Sequence, residues 1–348
     1  MLNEIREGKA KIKASVGKIS KKLEVFYNPI MKFNRDISIL LLDCVENKDL
    51  QVGSPLAGSG VREVRFLLEL KKIKKIYVND YSENAVKAIK ENIKLNKISS
   101  KKIEVSMKDA NLFLLESKGF DYIDIDPFGT PNPFLDAAVK RISRNGILAV
   151  TATDTSALSG TFPDACLRKY WAKPSHDYVM HEVGLRILIR KVQLVGAQFD
   201  KALIPIFSYS KDHYMRVFLR IEKGKEKVDW VLGQHGVFNS CGPMWLGELW
   251  DTELTKKMYS ISAELDYDFD SRFLQTIVEE SKVGTVGFHD IHELCGKNHL
   301  EVPNFEAIFN EVKKKGYTAS RTHFSPYGLR SGISEKELIA ILKKIAKN

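Results

Sequence analysis

At 348 residues, 44% hydrophobic and 28% charged, the chain can bury one large core or two ordinary ones and has the composition of a globular protein in water. No apolar run approaches the roughly 20 residues that cross a bilayer, and Met1 to Ser20 interleaves lysine with apolar residues instead of forming a signal-peptide core, so a cytoplasmic protein is expected. The net charge of +10 favours a polyanionic partner without requiring one, because the lysine clusters at Lys9 to Lys22, Lys71 to Lys75 and Lys313 to Lys315 read equally well as solvated faces.

Residues 1–24 read as an exposed basic arm or hairpin, and Val25 to Asp36 as a loop with a turn at Asn28-Pro29. Ile37 to Val45 fits a short helix or a strand equally. From residue 50 strands and helices alternate. The strands are Leu50 to Ala57, Ile76 to Val78, Lys102 to Met107, Phe120 to Asp126 and Gly146 to Thr151. Helices are expected at Val61 to Leu70, from the Ser82 cap to about Asn96, at Pro131 to Ile142 and at His181 to Val195. Ala202 to Tyr209 and Met215 to Ile221 look like a late antiparallel pair. This alternation predicts an α/β fold with a doubly wound, mainly parallel sheet. Lys223 to Asp229 is a charged break, beyond which Ser271 to Ser281, Asp290 to Cys295 and Asn304 to Lys315 predict a smaller helical unit.

In such a sheet, ligands bind outside the C-terminal strand ends. Gly58-Ser59-Gly60 follows the first strand, Asp80 the second, Asp109 the third and Asp126 the fourth. Glycines let the backbone approach a ligand, and an acid about 20 residues after them reaches ribose hydroxyls. Glu63 stands where a dinucleotide fingerprint needs its third glycine, and its charge disfavours a pyrophosphate. S-adenosylmethionine has no phosphate and a positive sulfonium, which suits a spread of acids. The alternative is that Asp80 and Asp109 only cap helices or turns.

Asp126-Pro127-Phe128-Gly129 is the sharpest signal. An exocyclic aromatic amine is a poor nucleophile because its lone pair is delocalised into the ring. Hydrogen bonds to the Asp126 carboxylate and the Pro127 carbonyl would localise that lone pair for in-line attack on a methyl group, with placement supplying much of the rate. Asp126 could take the proton, and Phe128 offers a stacking face worth about 1–3 kcal/mol to an extruded base.

These residues resemble the archaeal and eukaryotic tRNA (guanine(26)-N2)-dimethyltransferase family. The resemblance is carried by Phe26-Tyr27-Asn28-Pro29, Asn34-Arg35-Asp36, Ser59-Gly60-Val61-Arg62 with Arg65, and Asp126 through Pro131. It continues in Thr153-Asp154-Thr155, His181-Glu182, Asp212-His213-Tyr214 with Arg216, Gly242-Pro243 with Trp245, and Ser320-Arg321-Thr322-His323. It implies a class I S-adenosylmethionine-dependent methyltransferase domain with an N-terminal arm over 1–222 and a smaller helical/α+β tRNA-binding domain over 223–348. The implied reaction is transfer of one or two methyl groups to N2 of guanosine 26 in tRNA. The cofactor would be held by Arg35, Gly58, Gly60, Arg62, Asp80, Asp109 and Ala110. Catalysis would fall to Asp126, Pro127 and Phe128, with Phe128 also binding substrate. Read from the residues themselves, Arg321, His323 and Arg330 form a basic segment with Phe324 and Tyr327 that suits phosphate contact and stacking, so Arg321 and His323 are expected to bind substrate; the alternative is an ordinary exposed strand. Arg35 and Arg62 could instead be structural partners of Asp36 and Glu63. Alternatives are an N2-methyltransferase for another tRNA position and a non-catalytic tRNA-binding factor.

The sequence departs from the family pattern twice. Ser54 or a neighbour stands where the first strand often ends in an acid. In the stretch from Gly233 to Gly242, where many relatives carry paired cysteines, only Cys241 remains, so no zinc is expected. Cys44, Cys166, Cys241 and Cys295 read as buried free thiols. His289, His292, Cys295 and His299 could share a helix face, but Gly296 should end that helix first, and they are read as packing residues.

Overall fold

The computed structural model describes residues 2–15, 25–262 and 271–346. The chain opens with an antiparallel hairpin of β1 (Leu2–Glu7) and β2 (Ala10–Ser15). Ala10, Ile12 and Ala14 alternate with lysines and are fully buried, so the hairpin keeps one dry and one wet face. The rest of the expected basic arm, 16–24, lies outside the described residues. After a 3-10 turn at Pro29–Met31 comes α1 (Lys32–Cys44), which settles the ambiguous apolar run as helix. It also overturns the expected loop up to Asp36. Asn34, Arg35 and Asp36 are enclosed on its first turns by partners distant in sequence, and polarity misleads where polar groups are paired.

The alternating stretch comprises β3 (Leu50–Ser54), α2 (Val61–Glu69), β4 (Ile73–Asn79), α3 (Glu83–Leu95), β5 (Ile103–Ser106), α4 (Ala110–Leu115), β6 (Phe120–Ile125), α5 (Asn132–Arg141) and β7 (Ile142–Ala152). The chain then runs through α6 (Thr155–Leu158), α7 (Pro163–Tyr170), α8 (Met180–Ala197), β8 (Lys201–Lys211) and β9 (Tyr214–Lys223). Among the described residues these form a seven-stranded sheet in the order β5-β4-β3-β6-β7-β9-β8. The strands from β3 to β7 pair in parallel, and β9 enters antiparallel between β7 and β8. The order reverses between β3 and β6, which opens a crevice at their C-terminal ends.

The remaining elements are α9 (Lys225–Gly233), β10 (His235–Phe238), β11 (Cys241–Trp245), α10 (Thr252–Ser262), α11 (Ser271–Glu280), β12 (His289–Asp290), α12 (Ile291–Lys297), α13 (Phe305–Lys314), β13 (Ala319–Arg321), β14 (Gly328–Ser331) and α14 (Glu335–Ile345). The charged stretch after Lys223 is thus mostly helix, because Val228 and Val231 pin one face of α9 to the core. The main core reaches as far as Phe288 and Phe324, and a separate apolar cluster is built from Ile291, Leu294, Ile308, Leu329, Leu338 and Leu342. Among the described residues no helix is long and apolar enough to cross a membrane.

Arg330, fully buried on β14, fastens the last elements to the rest. It meets Glu182 of α8 at 2.6 Å and Glu280 of α11 at 3.0 Å, while Glu182 also holds Arg186 at 2.9 Å and accepts the Gly287 N–H. Removing the guanidinium would take a counter-ion from two enclosed carboxylates at once, leaving Glu182 to Arg186 and Glu280 to His323. Arg330→Ala should therefore lower unfolding stability by about 3–5 kcal/mol in urea denaturation; a loss under 1 kcal/mol would mean that water replaces it.

Candidate active site

Four strand ends meet at the crevice, and one side chain clamps three of them. Asn79, fully buried at the end of β4, donates through Nδ2 to the carbonyls of Pro55 and Lys108, both at 3.0 Å. Its Oδ1 accepts the Lys108 N–H at 2.9 Å and the Ser106 hydroxyl at 3.0 Å. The next residue, Asp80, accepts the Gly58 N–H at 2.8 Å and the Ser82 N–H at 2.9 Å, one on each carboxylate oxygen. Gly58 and Gly60 have φ of 56° and 73°, a left-handed path that turns the chain sharply into α2. Asp109 caps α4, its Oδ1 accepting from Asn111 and Leu112, and Ala110 is buried behind it. Asp80, half-buried, and Asp109, exposed, are thus turn and cap residues here, and their carboxylates keep further accepting capacity.

Asp126 follows β6 and hangs from a buried charge network. Arg62 donates to Asp126 Oδ2 at 2.5 Å, to Ser38 Oγ at 2.9 Å, and lies 3.3 Å from Asp124. Asp124 is bound on both oxygens by Arg216, at 3.0 and 2.7 Å, and accepts the Tyr122 hydroxyl at 2.7 Å. Burial opposes ionisation of Asp124, but Arg216 and Arg62 outweigh it and hold its carboxyl below the usual range. Thr151, buried on β7, accepts a further Arg216 N–H at 2.8 Å. The loop itself is fixed at Gly129, whose N–H donates to Thr153 Oγ1 at 2.6 Å and whose carbonyl accepts the Thr153 N–H at 3.0 Å. Phe128 is 43% exposed and packs edge-on against Phe26, with centroids 4.3 Å apart.

Arg35 and Arg62 are both paired, but not with Asp36 and Glu63. Arg35 grips Glu7 through Nε and Nη2, at 2.7 and 2.5 Å, and donates to the Asn28 carbonyl. Its guanidinium also lies 5.3 Å from the Tyr27 ring centroid. Burial opposes a charge on Glu7, yet Arg35 and Arg65 lower its pKa to about 2. Sequence reasoning gave no role to Asp124 or Asn79, and it named Thr153 and Arg216 only as residues of the family resemblance, without a partner. The signal for Asp124 was its place two residues before Asp126, on the same face of the strand.

The second substrate-binding pair divides. Arg321 is exposed, its guanidinium 3.5 Å from the Phe305 ring centroid. His323, expected to face nucleic acid, is instead enclosed. Its Nδ1 meets Glu280 at 2.5 Å and its Nε2 accepts the Ser210 N–H at 3.4 Å, so both ring nitrogens are engaged in joining chain segments. Arg330, the other basic side chain of that segment, also turns inward. His289 bonds the Ile333 carbonyl, His292 stacks on Tyr327, and Cys295 is buried. Among the described residues no three His, Cys, Asp or Glu side chains are grouped to hold a metal ion.

Comparison with known proteins gives this arrangement a context. The family described as N2,N2-dimethylguanosine tRNA methyltransferase matches residues 6–241 and 234–343. The chain belongs to this family. A tRNA (guanine(26)-N(2)/guanine(27)-N(2))-dimethyltransferase of Aquifex aeolicus is 38% identical over 94% of this chain and 92% of its own length. The tRNA (guanine(26)-N(2))-dimethyltransferase of Methanobrevibacter smithii is 36% identical over 100% and 98%. The solved structure of Trm1 from Pyrococcus horikoshii with S-adenosyl-L-methionine superposes with a TM-score of 0.90 at 34% identity, covering 98% of this chain and all of that one. The fold is therefore the class I methyltransferase sheet with its C-terminal addition.

Within this N2,N2-dimethylguanosine tRNA methyltransferase fold, the absent acid at the end of β3 has a neighbour. Glu63 lies beside Ser54, on the first turn of α2, and is 2% exposed. Glu63 Oε2, Ser54 Oγ and Ser59 Oγ are enclosed with no hydrogen-bond partner. Burial pushes the Glu63 carboxyl up to about 7 despite Arg62. The like-charge argument against a pyrophosphate is weakened accordingly, since Glu63 is ionised only in part near neutrality. An unfolded glutamate ionises near 4.5, so raising the pH from there to about 7 removes a proton from the unfolded chain first and lowers stability. That interval corresponds to roughly 3 kcal/mol. Glu63→Gln should thus gain about 3 kcal/mol on the wild type between pH 4 and pH 8 in denaturant unfolding. A constant difference would return Glu63 to an ordinary carboxyl.

Proposed function

We propose that the chain transfers one or two methyl groups from S-adenosylmethionine to the exocyclic N2 of guanosine 26 in tRNA. The carrying observation is Asp126, held on one oxygen by Arg62 and beside the exposed ring of Phe128, in a member of this family. The residues around the crevice suit the cofactor. Asp80 would accept ribose hydroxyls and Asp109 the adenine amine. Arg35 Nη1 would donate to the methionyl carboxylate, and Gly58, Gly60 and Ala110 would line the approach. Arg62 reaches the cofactor side as the neighbour that sets Asp126. The orphaned polar atoms of Ser54, Ser59 and Glu63 would gain a polar ligand or water there. Acids unmatched by any phosphate suit a positive sulfonium, which supplies an electrophilic methyl.

The protein's own part is placement and proton removal. With Oδ2 occupied by Arg62, Asp126 presents Oδ1 to one N–H of the guanine amine, while the Pro127 carbonyl accepts the other. Phe128 stacks on the extruded base. As the N–C bond forms and the S–C bond breaks, the nitrogen becomes positive and its proton passes to Asp126. A second transfer needs the product amine to reload with its single remaining N–H on Asp126. We assign residues 1–222 to this chemistry and 223–348, with Arg321 on an exposed edge, to gripping tRNA.

Label transfer from S-adenosylmethionine to unmodified tRNA, mapped by mass spectrometry, tests the reading; no transfer would leave a binding factor, and label elsewhere another position. Asp126→Asn should cut turnover by at least about 100-fold while leaving tRNA affinity within a few-fold. Loss of binding would make Asp126 structural. Phe128→Ala should lower kcat more than cofactor affinity. Binding of tRNA should weaken steeply between 50 and 200 mM salt, by about 10³-fold or more if six or more phosphates are engaged. A flat response would remove the phosphate contacts.

A further inference from the structure

The chain between β7 and α8 carries a surface that the methyl-transfer chemistry leaves unused. It is fastened to the catalytic loop. The Tyr170 hydroxyl, at the end of α7, lies 2.7 Å from Asp154 Oδ1 and 3.0 Å from Thr130 Oγ1. Asn132 Nδ2 donates to the Lys169 carbonyl at 2.9 Å. The inner side of α7 is fully buried at Cys166 and Tyr170.

Its outer side is unlike an ordinary solvated helix. Phe162, Leu167 and Trp171 are 60, 58 and 54% exposed, with Arg168 and Lys169 exposed among them. Leu167, Arg168 and Trp171 share a face by helical spacing, together with one acid, Asp164. Trp171 is held in place, with the Lys191 ammonium 3.1 Å from its ring centroid. Beside Lys191, the half-buried Arg190 has Nε and Nη1 enclosed without a partner. Burial, and for Lys191 the charge of Arg190, disfavours both cations, and among the described residues no carboxylate offsets them.

Open ring faces need something flat to stack on, and uncompensated cations need anions. A nucleic acid backbone with unstacked bases offers both within one ligand, whereas a protein partner would favour a continuous apolar patch. We propose that α7 and Trp171 form a docking shelf for tRNA nucleotides flanking the methylated guanosine, with Phe162 and Trp171 as stacking platforms and Arg168 as a phosphate contact. The shelf would hold the opened strand in register with Asp126, because its hydrogen bonds to Thr130, Asn132 and Asp154 fix it to the catalytic loop. This rests on tRNA being the substrate.

The test uses the full chain, an unmodified tRNA transcript, and the variants Phe162→Ala/Trp171→Ala, Phe162→Tyr/Trp171→Phe and Arg168→Gln. The alanine pair should raise KM and Kd for tRNA at least about fivefold, with cofactor affinity unchanged. The aromatic pair should restore both, which a structural role for bulk alone would not predict of leucine replacements run beside it. Arg168→Gln should reduce the slope of log affinity against log salt by about 0.7–0.9. Folded variants with unaltered tRNA affinity and salt slope overturn the shelf. If the wild type binds tRNA without methylating it, the enzymatic reading fails while the binding data still judge the shelf. If the wild type binds no tRNA, both fall.

Discussion

Asp124 has no access to solvent and no acidic chemistry of its own, yet the active end of the sheet is arranged around its charge. One enclosed carboxylate on β6 receives Arg216 from β9 and Arg62 from α2, and Arg62 passes on to Asp126. Desolvating any one of these ions alone would cost several kcal/mol, and their mutual attraction offsets this with help from the hydroxyls of Ser38, Thr151 and Tyr122, which fill most remaining sites, the enclosed Arg216 Nε excepted. Such a cluster tolerates little displacement. It also sets direction, since Asp126 is held on one oxygen by Arg62, itself anchored at Asp124 and Ser38; in the proposed reaction this would leave little reorganisation to make.

The same logic recurs outward from the network. Asn79 ties together three strand ends, Thr153 closes on Gly129, and Tyr170 bolts α7 to the loop. Each is a neutral hydrogen-bonding side chain that replaces solvent for backbone or loop groups in a crowded crevice. Together they turn flexible strand-to-helix connections into fixed surfaces, the condition for holding an amine at reacting distance.

The repeating strand–helix pattern, the Ser82 cap and the strand-end placement of Gly58, Asp80, Asp109 and Asp126 are local features, and they were legible in the sequence because period and capping act over a few residues. What the network requires was not legible. Asp124 and Arg216 lie 92 residues apart, and nothing local separates Arg216 from any other arginine on a strand. Arg35 and Asp36 were read in a loop on the turn signal of Asn28-Pro29, whereas Glu7 and Arg65 supply partners that hold them on a helix. His323 and Arg330 show the converse: a basic segment that looks suited to phosphate turns the His323 ring and the Arg330 guanidinium inside, onto Glu280 and Glu182. Family resemblance could name Arg35 and Arg62 as important, but only geometry shows to whom each is bound.

The hairpin at the start of the chain has a consequence for the order of assembly. Lys9, Lys11 and Lys13 donate their backbone N–H groups to side chains of Glu69, Asn96 and Asn92, between 60 and 85 residues later. During synthesis the hairpin therefore has no permanent seat until α3 has been made. The arginine network waits longer still, since Arg216 must reach back 178 residues to Ser38. Loop-closure entropy makes such distant contacts late ones. A nascent chain stopped before β9 would lack Arg216, the main counter-ion of Asp124, and the network would be completed only as β9 pairs with β7.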